Sequence, residues 1–350
     1  MELCLYHPEF GYYAAERERF GKSGDFYTAS DIHAVYGRLM ARQFDEMWRA
    51  LGSPPSLRVI ELGPGRGLFA QDVLAFAREK FPAFFEAMQY VMVERSPSLC
   101  RRLMERFAAG LERGTVAVRH SLKDAESTGH AIAFANEFFD ALPVDVLGEH
   151  GQLHIAASGN RFTETWREPA AAVLDYARRF ALVPAGEQRV EICLPLEGII
   201  CELDSAFQRG FVIAVDYGYT RAELQAGAPS DTLRAFRSHT LRANVVDSPG
   251  EQDITADVNF TAVAELARGA GIHAMPLLRQ SQFLMGIGEA NQFADIFESC
   301  VLPQEHAKRA LQLKHFITPE GLGEAFRVLV MFRGVPPKEA ARLSGLKFAR

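Results

Sequence analysis

Short apolar runs alternate with helix-period stretches along most of this chain. Residues 59–62, V-I-E-L, have strand length, and a helix-like pattern starts at Leu68 and continues to Lys80. Residues 90–94, Y-V-M-V-E, repeat the arrangement, with a second helix expected from Ser96. A weak third strand is expected over 115–118 and a fourth over 131–135. G-F-V-I-A-V-D, 210–216, reads as the fifth, and F-R-V-L-V-M-F, 326–332, as the last, lying beside the fifth. Strands alternating with helices imply an α/β fold, a parallel sheet joined by crossovers. Ligands of such sheets bind beyond the carboxyl ends of the strands, so the loops after strands one, two and four should converge.

Other segments read less regularly. Residues 1–26 alternate aromatics and glycines with few helix signals; Tyr6, Tyr12 and Tyr13 either pack over a core or form a lid. Asp31 is placed to cap a helix reaching Leu51, with Val35, Leu39, Phe44 and Trp48 at near-helical spacing, and G-S-P-P, 52–55, breaks it. A hairpin is expected over 144–165, then helices over 169–182 and 196–208 separated by V-E-I-C-L-P. Residues 220–257 read as a long polar loop, a length usually reserved for function. A helix over 258–270, a strand within 275–288 and a helical segment over 290–313 complete the chain. The expected organisation is an N-terminal lid and helix (1–52), a ligand-binding core with inserted hairpin and helices (53–218), a substrate-side loop (219–257) and a C-terminal part that completes the sheet (258–350).

The chemistry centres on the junction of the first strand and helix, R-V-I-E-L-G-P-G-R-G, 58–67. Glycines permit positive φ and let a ligand approach the backbone, while a helix start offers N–H groups and a positive dipole end. The spacing is E-x-G-x-G-x-G, from Glu61 through Gly63, Gly65 and Gly67. A dinucleotide fingerprint would need glycine where Leu68 stands.

Composition narrows the class. The chain of 350 residues is 48% hydrophobic and 23% charged, as globular proteins are, and its net charge of −6 argues against general affinity for nucleic acid or membrane surfaces. The five cysteines show neither a C-x-x-C pair nor metal spacing to histidine, so reduced thiols and no metal site are expected. Neither a signal peptide, a transit peptide nor a membrane-spanning run is recognised, and a cytoplasmic location is expected.

The E-x-G-x-G-x-G turn resembles the first motif of the class I methyltransferases, which bind S-adenosylmethionine. That resemblance implies a loop around the methionine end of the cofactor, and Glu94 on the ribose hydroxyls. Longer strings resemble one family within the class: L-Y-H-P-E-F-G-Y-Y, G-D-F-Y-T, N-E-F-F-D-A-L-P-V, D-Y-G after the fifth strand, T-L-R-A-F and Q-D-I-T-A-D-V-N-F, in order along nearly the whole chain, are similar to the MidA family. The family includes a mitochondrial complex I assembly factor that dimethylates an arginine of a complex I subunit. The resemblance therefore implies a Rossmann-like class I methyltransferase sheet with mixed terminal strands and an added helical and loop region on the substrate side. It also implies S-adenosyl-L-methionine as cofactor and arginine methylation of a protein substrate such as a respiratory-complex subunit. The alternative is a protein that binds the cofactor and acts only as an assembly factor. Two departures are visible. The family's further helical segment before the first string is missing, so the N-terminal wall of the site is expected to be incomplete; and its T-S-P-E reads T-A-S-D at 28–31.

Methyl transfer needs a positioned nucleophile and a nearby base or carboxylate. The loop after strand four offers Asn136, Glu137 and Asp140, which fits neither the N-P-P-Y loop of amide and base methylators nor the paired glutamates of arginine methylators. Asn136 and Asp140 have a competing reading as caps of a following helix. Asp25 is either a cofactor contact or a turn residue; Arg66 faces either the cofactor carboxylate or Glu61. Glu191, Asp216, Tyr217 and His239, with Asp253 behind them, are candidates for the substrate side.

Overall fold

A computed structural model gives the fold, describing residues 1–13, 34–125, 127–159, 161–184, 186–227, 231–237, 240–242 and 244–349. The chain divides into two compact units: Tyr27–Glu137, Glu202–Asp216 and Ala267–Arg350 form one, and Met1–Phe26, Phe138–Cys201 and Tyr217–Leu266 form the other. We call them the sheet unit and the accessory unit.

The sheet unit is built on strands β1 (Leu57–Leu62), β2 (Met88–Val93), β3 (Val116–Arg119), β4 (Thr128–Asn136), β5 (Phe207–Tyr219), β6 (His273–Ala274) and β7 (Phe326–Arg333). Their order is β6-β7-β5-β4-β1-β2-β3. The pairs β1–β2, β1–β4, β2–β3 and β4–β5 are parallel, and β6 and the short strand Leu278–Arg279 run antiparallel to β7. The expected strands are all present, and the last lies beside the fifth as its sequence suggested. β1 and the second half of β4 are buried on both faces, as the central strands of a parallel sheet are. The helix Ala34–Ala50 buries Val35, Leu39, Phe44 and Trp48, with Phe44 and Phe69 packed on Phe134 of β4 at centroid distances of 5.8 and 4.5 Å. Asp31, expected to cap this helix, lies outside the described residues.

The strand expected within 275–288 is present as Leu278–Arg279, and the residues that follow it, Gln280–Glu289, form a helix that buries Phe283, Leu284 and Ile287 at i, i+1 and i+4. Two sequence readings change in this unit. The expected helix over 290–313 is two, Ala294–Phe297 and Pro303–Ile317, since Gln292 and Phe293 take left-handed φ and Pro303 opens a new first turn. No helix follows Asn136: the next regular element is the strand Asp145–Gly148, so neither Asn136 nor Asp140 caps a helix.

The accessory unit contains an antiparallel sheet of Arg161–Arg167, Gly151–Ser158, Asp145–Gly148 and Val190–Ile192, in that order. The expected hairpin thus gains two strands, including V-E-I. The segment expected as a polar loop carries a helix, Arg221–Gln225, and a second antiparallel sheet in the order Thr240–Arg242, Arg234–Arg237, Asp253–Thr255. These strands are too short for periodicity to reveal, yet pairing Ala235 with Ile254 buries both against Leu5 and Tyr12. Val258–Asn259, read as the start of a helix, pairs in parallel with Gly218 and Tyr219, and the helix begins at Phe260. Among the described residues no helix is long and apolar enough to cross a membrane.

Candidate functional site

β1 runs through Gly63-Pro64-Gly65-Arg66-Gly67 into the helix Leu68–Lys80. Gly63, Gly65 and Gly67 have φ of 65°, 53° and 73°, a region that side chains with a Cβ rarely adopt. The Gly63 N–H donates to Val93 O at 3.0 Å, tying the turn to the end of β2. Gly65 and Gly67 serve different needs. A Cβ on Gly67 would stand 2.7 Å from Leu103 Cδ2 and from Phe107 Cε2, whereas a Cβ on Gly65 would meet nothing within 4 Å. Gly67 is therefore a packing glycine, and Gly65 borders an open cradle that a side chain would fill. Gly67 N-caps the helix without a side-chain cap bond, the usual setting for a ligand on first-turn N–H groups.

Glu94 follows β2 directly. Its Oε1 accepts the Ser96 N–H at 2.8 Å, and the N–H groups of Gly65 and Arg95 also bond the carboxylate. The glycine turn and the acid after β2 are thus in contact, as the sequence led us to expect. Glu94 is 8% exposed, and burial pushes its pKa up to about 7 against the pull of those N–H groups. Glu61 is 5% exposed and accepts the Tyr90 hydroxyl on Oε2 at 2.9 Å. Burial pushes its pKa up to about 8, with the Tyr90 bond opposing and the Glu94 charge adding.

The end of β4 holds a second cluster in the same unit. Tyr36 donates its hydroxyl to Asn136 Oδ1 at 3.0 Å, and Asn136 Nδ2 donates to Glu137 Oε1 at 3.0 Å. Glu137 has φ 51°, and its N–H is held by Val215 O of β5 at 2.9 Å. Tyr36 is buried, with centroid distances of 5.7 Å to Phe69 and 5.4 Å to Phe316. Burial, then the Glu137 charge, raise its phenol pKa well above the usual value, so it stays a hydroxyl donor. Asp216, one residue beyond Val215, is fully buried. Reasoning from sequence missed Tyr36 and Tyr90. Tyr90 was readable in principle: it stands beside Val59 in the register, so it shares a sheet face with Glu61 two residues on.

The other candidates lie in the accessory unit. Glu191 is buried in its strand and accepts the Thr232 N–H on Oε1 at 2.6 Å. Asp140 is buried, and its carbonyl accepts the Ala256 N–H at 2.9 Å. Tyr217 lies under the Arg234 guanidinium, 5.7 Å from the ring centroid. Asp253 accepts the Tyr13 hydroxyl at 2.8 Å; burial, then Asp253, Tyr6 and Asp140, raise that phenol's pKa. Tyr12 packs in a small core with Leu5, Ala235 and Ile254, with Tyr6 and Tyr13 against it, in line with the packing reading of these residues. Asp25 and His239 lie outside the described residues.

A mostly parallel sheet with an antiparallel edge, a glycine turn after β1 and a buried acid after β2 define the class I methyltransferase architecture. The comparisons name the family within it. Residues 39–277 match the family described as "Putative S-adenosyl-L-methionine-dependent methyltransferase". The "Protein arginine methyltransferase NDUFAF7 homolog, mitochondrial" of Drosophila melanogaster is 30% identical, the match covering 96% of this chain and 80% of the relative. The human "Protein arginine methyltransferase NDUFAF7, mitochondrial" is 26% identical over 95% and 78%. A crystal structure of a "likely methyl transferase" from Burkholderia thailandensis bound to S-adenosyl-homocysteine superposes with a TM-score of 0.81 at 26% identity, covering 99% of this chain and 88% of that one. The chain belongs to the MidA family of S-adenosyl-L-methionine-dependent methyltransferases. It is an enzyme whose cofactor is S-adenosyl-L-methionine.

Proposed function

We propose that this methyltransferase modifies an arginine side chain of a protein substrate. The observation that carries the reading is a pair of clusters in the sheet unit: a glycine turn bonded to Glu94, and Glu137 held by Asn136 and Tyr36. It is supported by relatives named as protein arginine methyltransferases that span nearly the whole chain. A respiratory-complex subunit is the substrate class the family resemblance suggests. A cytoplasmic location is consistent with the five free cysteines, while the curated relatives are named mitochondrial.

The residues present fit the cofactor. The cradle at Gly65 has room for it, and Glu94 offers a carboxylate to two ribose hydroxyls. Gly63, Gly65, Gly67, Glu61 and Glu94 are assigned to holding it, with Asp25 retained as a further contact. S-adenosyl-L-methionine supplies an electrophilic methyl group on a sulfonium, open to in-line displacement. Glu137 holds the guanidinium through charge-assisted N–H bonds and keeps electron density on the attacking nitrogen. Asn136 fixes the Glu137 carboxylate, and Tyr36 fixes Asn136. Asp140, Glu191, Asp216, Tyr217 and His239, with the segment 219–257, are assigned to the substrate side.

The test is mass spectrometry of proteomes from cells with and without this protein. Loss of a methylarginine supports the reading; loss of a methyllysine or a methyl ester instead overturns it.

A further inference from the structure

Glu191 is a buried carboxyl group with one oxygen matched and the other not, and burial raises its pKa above the ordinary carboxylate value against the pull of the Thr232 and Glu191 N–H groups. It is 5% exposed, in the strand Val190–Ile192, which pairs with Asp145–Gly148 in the accessory unit. Oε1 accepts the Thr232 N–H at 2.6 Å, which fixes the carboxylate plane. Oε2 is buried and has no hydrogen-bond partner. The cations nearest in sequence pair with other carboxylates, and of these the buried Arg234 Nε has no partner. Arg189 grips Glu164 through both terminal nitrogens at 2.8 and 2.7 Å, and Arg234 pairs with Asp257 while lying over Tyr217.

The surroundings are also short of partners. Tyr219 is near enough that the Glu191 charge adds to burial in raising its phenol pKa. Asn259, opposite Tyr219 in the register, holds the Ala262 N–H with Oδ1 but has a buried Nδ2 without a partner. A buried carboxylate costs stability unless a cation or further donors match it. A fold that keeps such a cost commonly does so at a site that uses it.

We propose that Glu191 recognises an arginine side chain of the protein substrate, accepting guanidinium N–H bonds on Oε2. The proposal rests on the protein-arginine reading above and names a residue that reads its substrate. Thr232 lies in T-L-R-A-F, so the strand acid and that string act together: the backbone orients one oxygen and leaves the other for a planar, multiply donating cation. Oε2 is buried in this conformation, so a guanidinium reaches it only when the groups around it move.

The test uses the full chain saturated with S-adenosyl-homocysteine and two probes, Nα-acetyl-arginine amide and its neutral isostere Nα-acetyl-citrulline amide. Calorimetry should show wild type preferring the cation by about ten- to a hundredfold, the worth of one charge-assisted bond. Glu191→Gln still accepts from Thr232 and should lower the preference by about tenfold, leaving the share that Glu137 holds, with unchanged S-adenosyl-homocysteine affinity, which reports an intact fold. Glu191→Asp keeps the charge and should keep a preference. Absence of the preference in wild type, or its survival undiminished in Glu191→Gln, overturns the assignment. The residue type found methylated in the proteome decides the arginine reading separately.

Discussion

Tyr36 and Asn136, 100 positions apart, are joined by a 3.0 Å hydrogen bond from a buried phenol to the amide that holds Glu137. An interior hydroxyl thus sets the orientation of the side chain we assign to the substrate. Tyr36→Phe keeps the ring and its packing but removes the donor. Methyl transfer should fall by about tenfold, in line with one lost orienting bond, while cofactor affinity and melting temperature stay near wild type. An unchanged turnover would show that Glu137 does not depend on this chain of bonds.

Gly65 and Gly67 separate ligand space from packing space. Gly65→Val should fold yet lose cofactor binding in calorimetry, because its side chain fills the cradle and restricts φ. Gly67→Ala should lower the melting temperature instead, since its Cβ drives into Leu103 and Phe107. Normal binding by a folded Gly65→Val would remove this turn from the cofactor site.

Glu94 should make cofactor affinity depend on pH. Ribose hydroxyls donate to the carboxylate, so binding favours the deprotonated form and releases the proton that burial retains up to about pH 7. Affinity should therefore rise with pH through about 7 and level off above it. Glu94→Gln should flatten the profile and weaken binding about ten- to a hundredfold. A profile that keeps its slope in the variant would assign the proton to another group.

Glu61 has the opposite consequence for stability. Its folded pKa of about 8 lies above the ordinary 4.5, so between these values the folded chain holds a proton that the unfolded chain has released. The stability this contributes is complete below pH 4.5 and is lost as pH rises through 8, an effect on the order of a few kcal/mol. Without cofactor, the melting temperature should fall from pH 6 to 8.5, and Glu61→Gln should fall less. Parallel curves would show that Glu61 is not the group titrating.

What the sequence made legible was local or periodic. The β1 turn and the helix after it form one stretch, and Glu94 follows a strand whose neighbours are also apolar runs, so both could be placed without knowing any distant contact. Arg234–Arg237 and Asp253–Thr255 could not, because strands of three or four residues carry no period and gain their burial only by pairing across a gap in the chain. The bonds Tyr36–Asn136, Tyr13–Asp253 and Glu191–Thr232 escaped for the same reason: each joins residues far apart in sequence. The competing cap reading of Asn136 and Asp140 fails because the next regular element after Asn136 is a strand, Asp145–Gly148, and not a helix. Asp25 and His239 are outside the described residues.

Tritiated methyl transfer to the protein substrate, followed by amino-acid analysis of the product, tests the central claim most directly when wild type and Glu137→Gln are compared beside a cofactor titration. The account predicts label on methylarginine with wild type, a loss of about a hundredfold or more in the variant, and nearly constant cofactor affinity, because the missing charge acts on the reacting group rather than on the cofactor. Full transfer by Glu137→Gln, or label on lysine or a carboxyl group, would contradict it.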